Sequence, residues 1–470
     1  MRHLILTLCI VGLFLEVSGL IWSSKKDKPS EVFLKMSEQP DRAIEHPLQN
    51  GYFLLLGLAS APGLDPVQVG YDIWLETEIK SIHRGFHLDK PGRSDLRIPV
   101  ALDALLPEWN AADPLAEFQR RPVSFRAAMA RHSTLLKRYE LWLTMPFEDW
   151  GYAHRGAPRI EEILGAHRLY VAEGFGQQTR FGLERLAADL ARWRLVLREA
   201  RTLPMKILAA VVLEDDVHLL TRILSRATVD PAILIRGLNL LQPLTAGEYS
   251  LRWPVQSQFR LGYTLGQQPL GDGTSVQDDN DGPALESLAR AARLYPEMFR
   301  AVEHPRPRTF LGLSSPSQRT WDTYATFYDA TIKTAESVHS PLPKLLDIAR
   351  HSQLTLLDRI INPLDFSPNW EPFSQRLVET DARLRLASLQ ILMRTATAAD
   401  VIPRRLAEVG SMYFDPFTGL PMLWSATQKK LYSVGKDGLD DGGDPTFDIS
   451  VPLTSASNSA PTPVTGPSQG

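Results

Sequence analysis

Cysteine is nearly absent from this chain of 470 residues: the only one, Cys9, lies in an apolar segment near the N-terminus. A domain built from the rest of the chain therefore contains neither a disulfide nor a thiol nucleophile. The residues before it, Leu6-Thr7-Leu8, also lack the small side chains of a lipoprotein cleavage site. Chemistry that depends on a cysteine thiol is therefore excluded for the body of the chain.

An excess of positive charge is also missing. The chain has 51 Lys and Arg against 54 Asp and Glu, a net charge of −3. Proteins that bind nucleic acid carry a basic surface that neutralises phosphates. Local basic pairs such as Arg120-Arg121 have acidic residues nearby and are interpreted as solvated surface. No nucleic-acid partner is expected.

Long apolar runs are limited to one, near the N-terminus. Leu4–Trp22 follows Arg2 and His3, and it is about long enough to cross a bilayer as a helix. One interpretation of residues 1–23 is an uncleaved membrane anchor with Trp22 at the interface. The other is a signal peptide that is cleaved after Val17-Ser18-Gly19. Both place the body beyond the inner membrane, either anchored there and facing the periplasm or free in the periplasm.

The common catalytic signatures are absent as well. The sequence has no Gly-x-Ser-x-Gly elbow, no His-Glu-x-x-His and no phosphate-binding loop ending in Gly-Lys-Ser/Thr. Any activity would therefore depend on residues that no short motif marks. No organic cofactor is predicted.

What the sequence does contain is helical periodicity. The clearest example is Phe181–Ala200, followed after Pro204 by a second helix over Met205–Arg226; this short break predicts an antiparallel hairpin. The apolar stripe of the first helix is Leu183, Leu186, Leu190, Trp193 and Leu197, and the residues predicted to lie off it are Arg185, Asp189, Arg192 and Arg198. The predicted fold is mainly α: an antiparallel multi-helix bundle or array, with an N-terminal signal or anchor helix and a small C-terminal β-meander.

The composition divides the chain into successive parts. These are a leader over 1–23, a linker over 24–50, a helical body over 51–410 with a long loop near 262–283, a β-meander over 411–453, and a disordered tail over 454–470 rich in Ser, Thr and Pro.

Asp215 interrupts the apolar stripe of the second helix, and His218 lies three residues on, on the same side. They could form an acid–base pair or bind a metal. The alternative is that Asp215 lies at the edge of the stripe and pairs with Arg222. A second acid-x-x-His pattern at Glu336–His339 is typical of di-iron bundles, but those need two further inward glutamates, which we do not identify.

Glu148 is a second catalytic candidate. With Asp149, Glu161 or Glu162 it could supply the two carboxylates that glycoside hydrolysis requires, and Tyr152 could stack on a sugar. This pattern suggests, as an alternative function, a periplasmic hydrolase that acts on envelope glycan.

The C-terminal stretch Met412–Leu453 indicates a turn, three short β-prone runs and an acidic, glycine-rich loop. The turn is Asp415–Pro421, and the β-prone runs are Leu423-Trp424, Leu431–Val434 and Asp448–Val451. The loop contains Asp437, Asp440, Asp441 and Asp444. Glycines allow a tight fold and carboxylates are ligands that Ca²⁺ prefers, although the spacing is not that of an EF-hand.

This stretch resembles the C-terminal calcium loop of the major pseudopilins of type II secretion. The matching residues are Asp415, Pro416, Gly419, Pro421, Ser433, Gly435, Asp437, Gly438, Gly442, Gly443, Asp448 and Ile449. The resemblance implies that calcium is bound by the backbone carbonyl of Val434, by Asp437, and by Asp444 or Asp448. It is confined to this stretch. The chain has no prepilin-type start and carries a long helical body, so it is not itself a pseudopilin.

Together these features predict a non-catalytic envelope protein, a membrane-anchored helical scaffold or interaction module. Its expected partners are the inner membrane, through the N-terminal segment, and another envelope protein. The resemblance of the tail places it near a secretion or pilus-like system.

Overall fold

A computed structural model describes residues 27–82, 114–120, 127, 129–152, 158–225, 234, 238–267, 317–335, 371–394 and 401–453. The leader, the acid-x-x-His pattern at Glu336–His339 and the tail after Leu453 lie outside these ranges. So does most of the predicted long loop.

The protein is mainly helical, with one small antiparallel sheet, as the sequence predicts. The helices are α1 (Glu31–Met36), α2 (Gly51–Gly57), α3 (Pro66–Ile82), α4 (Pro114–Arg120), α5 (Ser133–Thr144), α6 (Ile160–Gln177), α7 (Thr179–Glu199), α8 (Leu203–Leu224), α9 (Ala246–Tyr249), α10 (Arg252–Gln267), α11 (Gln318–Ala335), α12 (Glu371–Met393) and α13 (Val401–Glu408). The strands are β1 (Leu423–Ser425), β2 (Lys430–Ser433) and β3 (Ile449–Pro452), and short 3-10 turns cover Pro47–Gln49 and Ser411–Tyr413.

Helices α7 and α8 pack against each other across the predicted break, with Pro204 in the first turn of α8. One part of the sequence interpretation is wrong. Asp189 and Arg192, predicted to lie off the apolar stripe of α7, are buried, with exposed fractions of 0% and 7%. The reason is that α7 packs on both α6 and α8, so its buried surface is wider than one stripe.

Helix α8 lies inside the body, and its residues are buried apart from Pro204, His218 and Arg222. It packs against α7, α10, α12 and β3. Helices that are hydrophobic all round belong to the interior of large domains. Polar residues carried into this interior include Lys206 and Asp216, both at 0% exposure.

Two glycines allow α2 and α3 to touch backbone to backbone. A Cβ on Gly70 would lie 1.7 Å from the carbonyl oxygen of Phe53, and one on Gly57 would lie 1.9 Å from that of Pro66. Asn50 caps α2 by accepting from the amide of Tyr52. The apolar run Tyr52–Ala59, whose length alone is compatible with a strand or a buried helix, is therefore helical as far as Gly57.

The segment predicted as a linker is docked on the body over its described part. It contains α1, whose Phe33 and Met36 are buried in the main core. Lys35 bonds Asp329 of α11 at 2.9 Å. The side-chain oxygen of Ser30 caps α1 and donates to Asp322 at 3.0 Å.

The region predicted to form a long loop near 262–283 begins as a helix, because α10 continues to Gln267. Pro254 lies in its first turn, where the missing amide hydrogen removes no helical bond. Residues 268–283 lie outside the described ranges.

The C-terminal part forms a β1-β2-β3 meander in which each strand pairs antiparallel with the next. Leu423 pairs with Tyr432, and Leu431 with Val451. A second hydrophobic core lies between this sheet, α13 and one face of α12. We call the meander with α13 the C-terminal unit. Among the described residues, no helix combines the length and the apolar composition that crossing a membrane requires.

Candidate functional site

Three consecutive helices each bring one polar side chain to the same point inside the body. His167 comes from α6, Asp189 from α7 and Asp216 from α8, and all three are fully buried. One ligand atom from each lies within 4.8 Å of the others. We call these three residues the buried triad. In the part of the chain that the structure describes, it is the only such convergence of three ligating side chains.

Asp189 is the best-bonded member of the triad. Its Oδ1 accepts from the Tyr139 hydroxyl at 2.7 Å, and that hydroxyl accepts from Nε1 of Trp193 at 2.7 Å. Its Oδ2 lies 2.8 Å from Nδ1 of His167. A carboxylate can only accept here, so Nδ1 carries a hydrogen. The other ring nitrogen, Nε2, then faces Asp216, 3.9 Å from its Oδ1.

Asp216 is the unsatisfied member. Neither of its oxygens accepts a hydrogen bond from an N–H group or a hydroxyl of the described residues, and its side-chain contact is with the Asp189 carboxyl group. Burial raises the pKa of Asp216 well above its usual value, and the nearby Asp189 raises it further. A buried carboxylate in this position needs either a proton or a cation beside it. Because its three side chains are fully buried, the triad is suited to holding a small ion or a proton.

Sequence analysis missed the triad, although a weak signal was present. Each member has apolar residues three or four positions before and after it in the sequence of its helix, as a residue on a buried face does. These neighbours are Ile163 and Val171 for His167, Leu186 and Trp193 for Asp189, and Val212 and Leu220 for Asp216. The same signal pointed to Asp215, so it could not have chosen between adjacent aspartates.

Asp215, the sequence candidate, is only 9% exposed, and its Oδ2 accepts from Nη2 of Arg168 on α6 at 3.0 Å. Its ion-pair partner is therefore Arg168 and not Arg222. His218 is partly buried, and burial together with the nearby Arg383 lowers its pKa to about 3. It is neutral at physiological pH. The triad uses Asp216, the next residue along the helix.

Glu148 is buried and bonded on both oxygens. It accepts from the amides of Ala43 at 3.0 Å and Ile44 at 2.9 Å, and from Nε1 of Trp150 at 3.2 Å. Arg201 pairs with it at 2.7 Å. Burial alone would raise its pKa, but these donors hold the pKa below the usual value. Glu148 therefore fastens the N-terminal segment to the body.

The residues proposed to assist Glu148 are also bonded. Asp149 accepts from the amides of Gly151, Arg201 and Thr202 and from the Thr202 hydroxyl. Burial still raises its pKa above the usual value. The Tyr152 hydroxyl donates to the carbonyl of Glu38 at 2.6 Å. The buried Glu162 lies 3.6 Å from Arg159.

The residues predicted to bind calcium lie around the β2–β3 loop. Asp437 and Asp444 each accept from an amide two residues on, those of Leu439 and Thr446. Asp448 is 4% exposed; its Oδ2 accepts from Gly443 at 2.7 Å, while its Oδ1 has no partner.

The amide of Val434 donates to Asp415 at 3.0 Å, which joins this loop to the Asp415–Pro421 turn. In that turn the amide of Gly419 donates to the carbonyl of Asp415 at 2.8 Å. The three candidate carboxylates do not converge as the triad does. Calcium binding stays a prediction that rests on the resemblance.

Comparisons of the chain with protein-family models, with curated proteins and with solved structures found no match.

Proposed function

We propose that the protein is a non-catalytic envelope protein: a helical scaffold or interaction module, held at the inner membrane by its N-terminal segment and facing the periplasm. The observation that carries the proposal is the bonding of Glu148. A catalytic carboxylate must be able to reach a substrate or a water molecule. Glu148 instead holds the amides of Ala43 and Ile44 and the guanidinium of Arg201, with 5% exposure.

The docked N-terminal segment supports a membrane-proximal position. Asp27, the first described residue, pairs with Arg319 at 2.7 Å, and Ser37 accepts from Arg260 at 2.6 Å. Between Trp22 and Asp27 an extended chain spans at most roughly 18 Å. If the leader stays in the membrane, the body is therefore held close to the bilayer surface and has little freedom to rotate.

The C-terminal unit is the part that would meet an envelope partner. It has its own core, and four of its large apolar side chains are half exposed or more: Met412, Leu420, Leu439 and Phe447. A role near a secretion or pilus-like system rests on the resemblance of this unit to pseudopilins.

Location is tested by fusing alkaline phosphatase, which is active only outside the cytoplasm, after residue 30 in a Gram-negative host. We expect activity, and we expect the full chain to stay in the membrane fraction after a carbonate wash. A matched fusion without residues 1–23 should be inactive. An inactive reporter in the fusion that keeps residues 1–30 would contradict the proposal. Recovery of the full chain as a soluble periplasmic protein would contradict the anchor.

The absence of catalysis is tested with purified protein and peptidoglycan. We expect no digestion by the wild type. Digestion that disappears in Glu148→Gln, while circular dichroism shows an intact fold, would overturn the proposal in favour of a periplasmic glycan hydrolase. Asp437→Asn, a change at an exposed carboxylate, is the matched control.

A further inference from the structure

We propose that His167, Asp189 and Asp216 form a closed site for a divalent transition-metal ion, with Zn²⁺ as the ion that fits best. Three helices that follow one another in the chain each contribute one of these side chains. All three are at 0% exposure, and their ligand atoms lie within 4.8 Å of one another.

The strongest observation is Asp216. Its two oxygens are buried and accept no hydrogen bond from an N–H group or a hydroxyl of the described residues, and no lysine or arginine there pairs with it or with Asp189. An unpaired buried carboxylate is strongly disfavoured. A cation between Asp216 and its neighbours removes that cost directly.

The charges of the triad match a divalent ion. Two carboxylates and one neutral imidazole carry a charge of −2, and a 2+ ion brings the total to zero. The nitrogen that faces Asp216 is Nε2, 3.9 Å from Oδ1. Two ligands of one zinc ion, each about 2.1 Å from it, lie at most ~4.2 Å apart.

Asp189 orients the histidine. It accepts from Nδ1 of His167 at 2.8 Å while Tyr139 donates to its other oxygen. A metal-bound histidine commonly donates its second ring nitrogen to a carboxylate in this way, which fixes the ring and leaves the other nitrogen for the metal. Asp189 is therefore a positioning residue, and its carboxylate, the second at the site, adds to the negative charge around the ion.

The kind of ligand selects the ion. Calcium takes six to eight oxygen ligands, whereas imidazole nitrogen with a small number of carboxylates suits zinc and its first-row neighbours. Because the site is closed, its role is structural: the ion would hold α6, α7 and α8 together.

The test is the metal content of the full-length protein, purified in detergent after growth in zinc-supplemented medium and exhaustive dialysis. Inductively coupled plasma mass spectrometry is expected to find one zinc ion per chain. Asp216→Asn and His167→Gln should lose it. The matched control is Asp215→Asn, since Asp215 is the adjacent residue and pairs with Arg168; this variant should keep the ion.

A second measurement separates loss of metal from loss of folding. Protein unfolded with a chelator is refolded with Zn²⁺, with Co²⁺ or with neither ion. The wild type is expected to melt at a higher temperature with Zn²⁺, and the Co²⁺ form should show the visible absorption of a low-symmetry cobalt site. Asp216→Asn should show neither effect.

Two results would overturn the proposal. One is wild-type protein without stoichiometric metal and without a shift in melting temperature on refolding with Zn²⁺. The triad would then be a carboxyl pair that shares a proton, and Asp216→Asn would be as stable as the wild type. The other is zinc retained in both Asp216→Asn and His167→Gln, which would place the ion elsewhere.

Discussion

Helix α12 separates two hydrophobic cores. Phe373, Leu377 and Leu384 face the helical body, whereas Leu386 and Leu389 face the C-terminal unit. The helix also joins the two parts through hydrogen bonds, because Gln390 donates to the carbonyls of both Thr221 and Pro452.

The two parts use polar side chains differently. In the body, Arg138 donates to four carbonyls that lie far back in the chain: those of Leu58, Ser60, Ala61 and Leu64. In the C-terminal unit, Asp437, Asp440 and Asp444 each accept from an amide only two residues on. Local turns of this kind form with little help from the rest of the fold. Polar substitutions should therefore destabilise the whole chain when made in the body and only a loop when made in the C-terminal unit.

The largest difference is expected for glycine. In Gly70→Ala the new Cβ would meet the Phe53 carbonyl oxygen at 1.7 Å, so α2 and α3 must separate. We expect a loss of about 3 kcal/mol or more in the free energy of unfolding, measured by urea denaturation. Gly438, in the acidic loop, has a φ of +70° and no atom within 4 Å of the added Cβ. Gly438→Ala should lose about 1 kcal/mol. Equal losses at the two glycines would contradict the comparison.

Removal of the Glu148 carboxylate is the next largest effect. Glu148→Ala leaves Arg201 and the amides of Ala43 and Ile44 without this partner, and it should lose about 3 kcal/mol. Limited proteolysis should then cut near residues 41–44. The counterpart in the C-terminal unit, Asp437→Ala, should change stability by no more than about 0.5 kcal/mol.

The pH dependence gives a second measure of Glu148. Its bonded partners hold its pKa below the reference of 4.5. The folded chain therefore binds this proton more weakly than the unfolded chain. The contribution of Glu148 is fully present above about pH 4.5 and is lost as the pH falls through the lower, folded-state pKa. The stability difference between wild type and Glu148→Gln should shrink over that acidic range. A constant difference would show that the carboxylate charge is not what matters.

Lys206 is the opposite case in its charge: the charged form of Glu148 stabilises the fold, whereas burial makes the charged form of Lys206 destabilising. It is fully buried, its Nζ donates to the Leu197 carbonyl at 2.7 Å, and burial lowers its pKa from 10.5 to about 7. The unfolded chain binds more protons between these values, so stability rises with pH from about 7 to 10.5. Lys206→Met should therefore be more stable than wild type at pH 6, by about 2 kcal/mol after loss of the hydrogen bond. The gain should vanish towards pH 10, and a gain that does not change with pH would exclude this explanation.

Sequence periodicity predicted the elements that fold by strong local patterns. The α7–α8 hairpin follows from one clear stripe and a proline break. A shorter helix is predicted over Val401–Val409 with Gly410 as its stop, and the structure has α13 there, followed by Gly410 with a φ of +100°. The three strands follow from short β-prone runs between turns. The composition changes to Pro, Gly, Gln and Asp over residues 250–283 and indicates a loop, so the start of α10 was not predicted. A proline in the first turn is nevertheless compatible with a helix.

The triad could not be predicted because its chemistry depends on tertiary burial. Asp189 seemed to lie off the apolar stripe, and only the packing of α6 on the other side of α7 buries it. In α8 both Asp215 and Asp216 are buried, so periodicity could not show which of them points to the polar centre. Local sequence patterns predict the helices. The packing of a third helix, here α6 on α7, decides which polar residues come together.

The smallest expected effect is the stabilisation of the C-terminal unit by calcium. Asp448 has one bonded and one unpartnered oxygen, and burial raises its pKa above the usual value. If the loop binds Ca²⁺ about as weakly as extracellular modules do, with a Kd of ~1 mM, then 2 mM Ca²⁺ should stabilise it by about 0.6 kcal/mol.

Amide hydrogen exchange can measure this stabilisation separately in the C-terminal unit and in the helical body. We expect slower exchange at the amides of β2 and β3 with Ca²⁺, reversal by a chelator, and no change at the amides of α8. Asp448→Asn should abolish the response. Asp415→Asn should weaken the turn that holds Val434 but removes no carboxylate of the β2–β3 loop. If Ca²⁺ does not slow exchange at the amides of β2 and β3, the loop does not bind calcium. A response that spreads to α8 would mean instead that the two cores on α12 unfold as one, because only coupled cores can transmit stability from a local site.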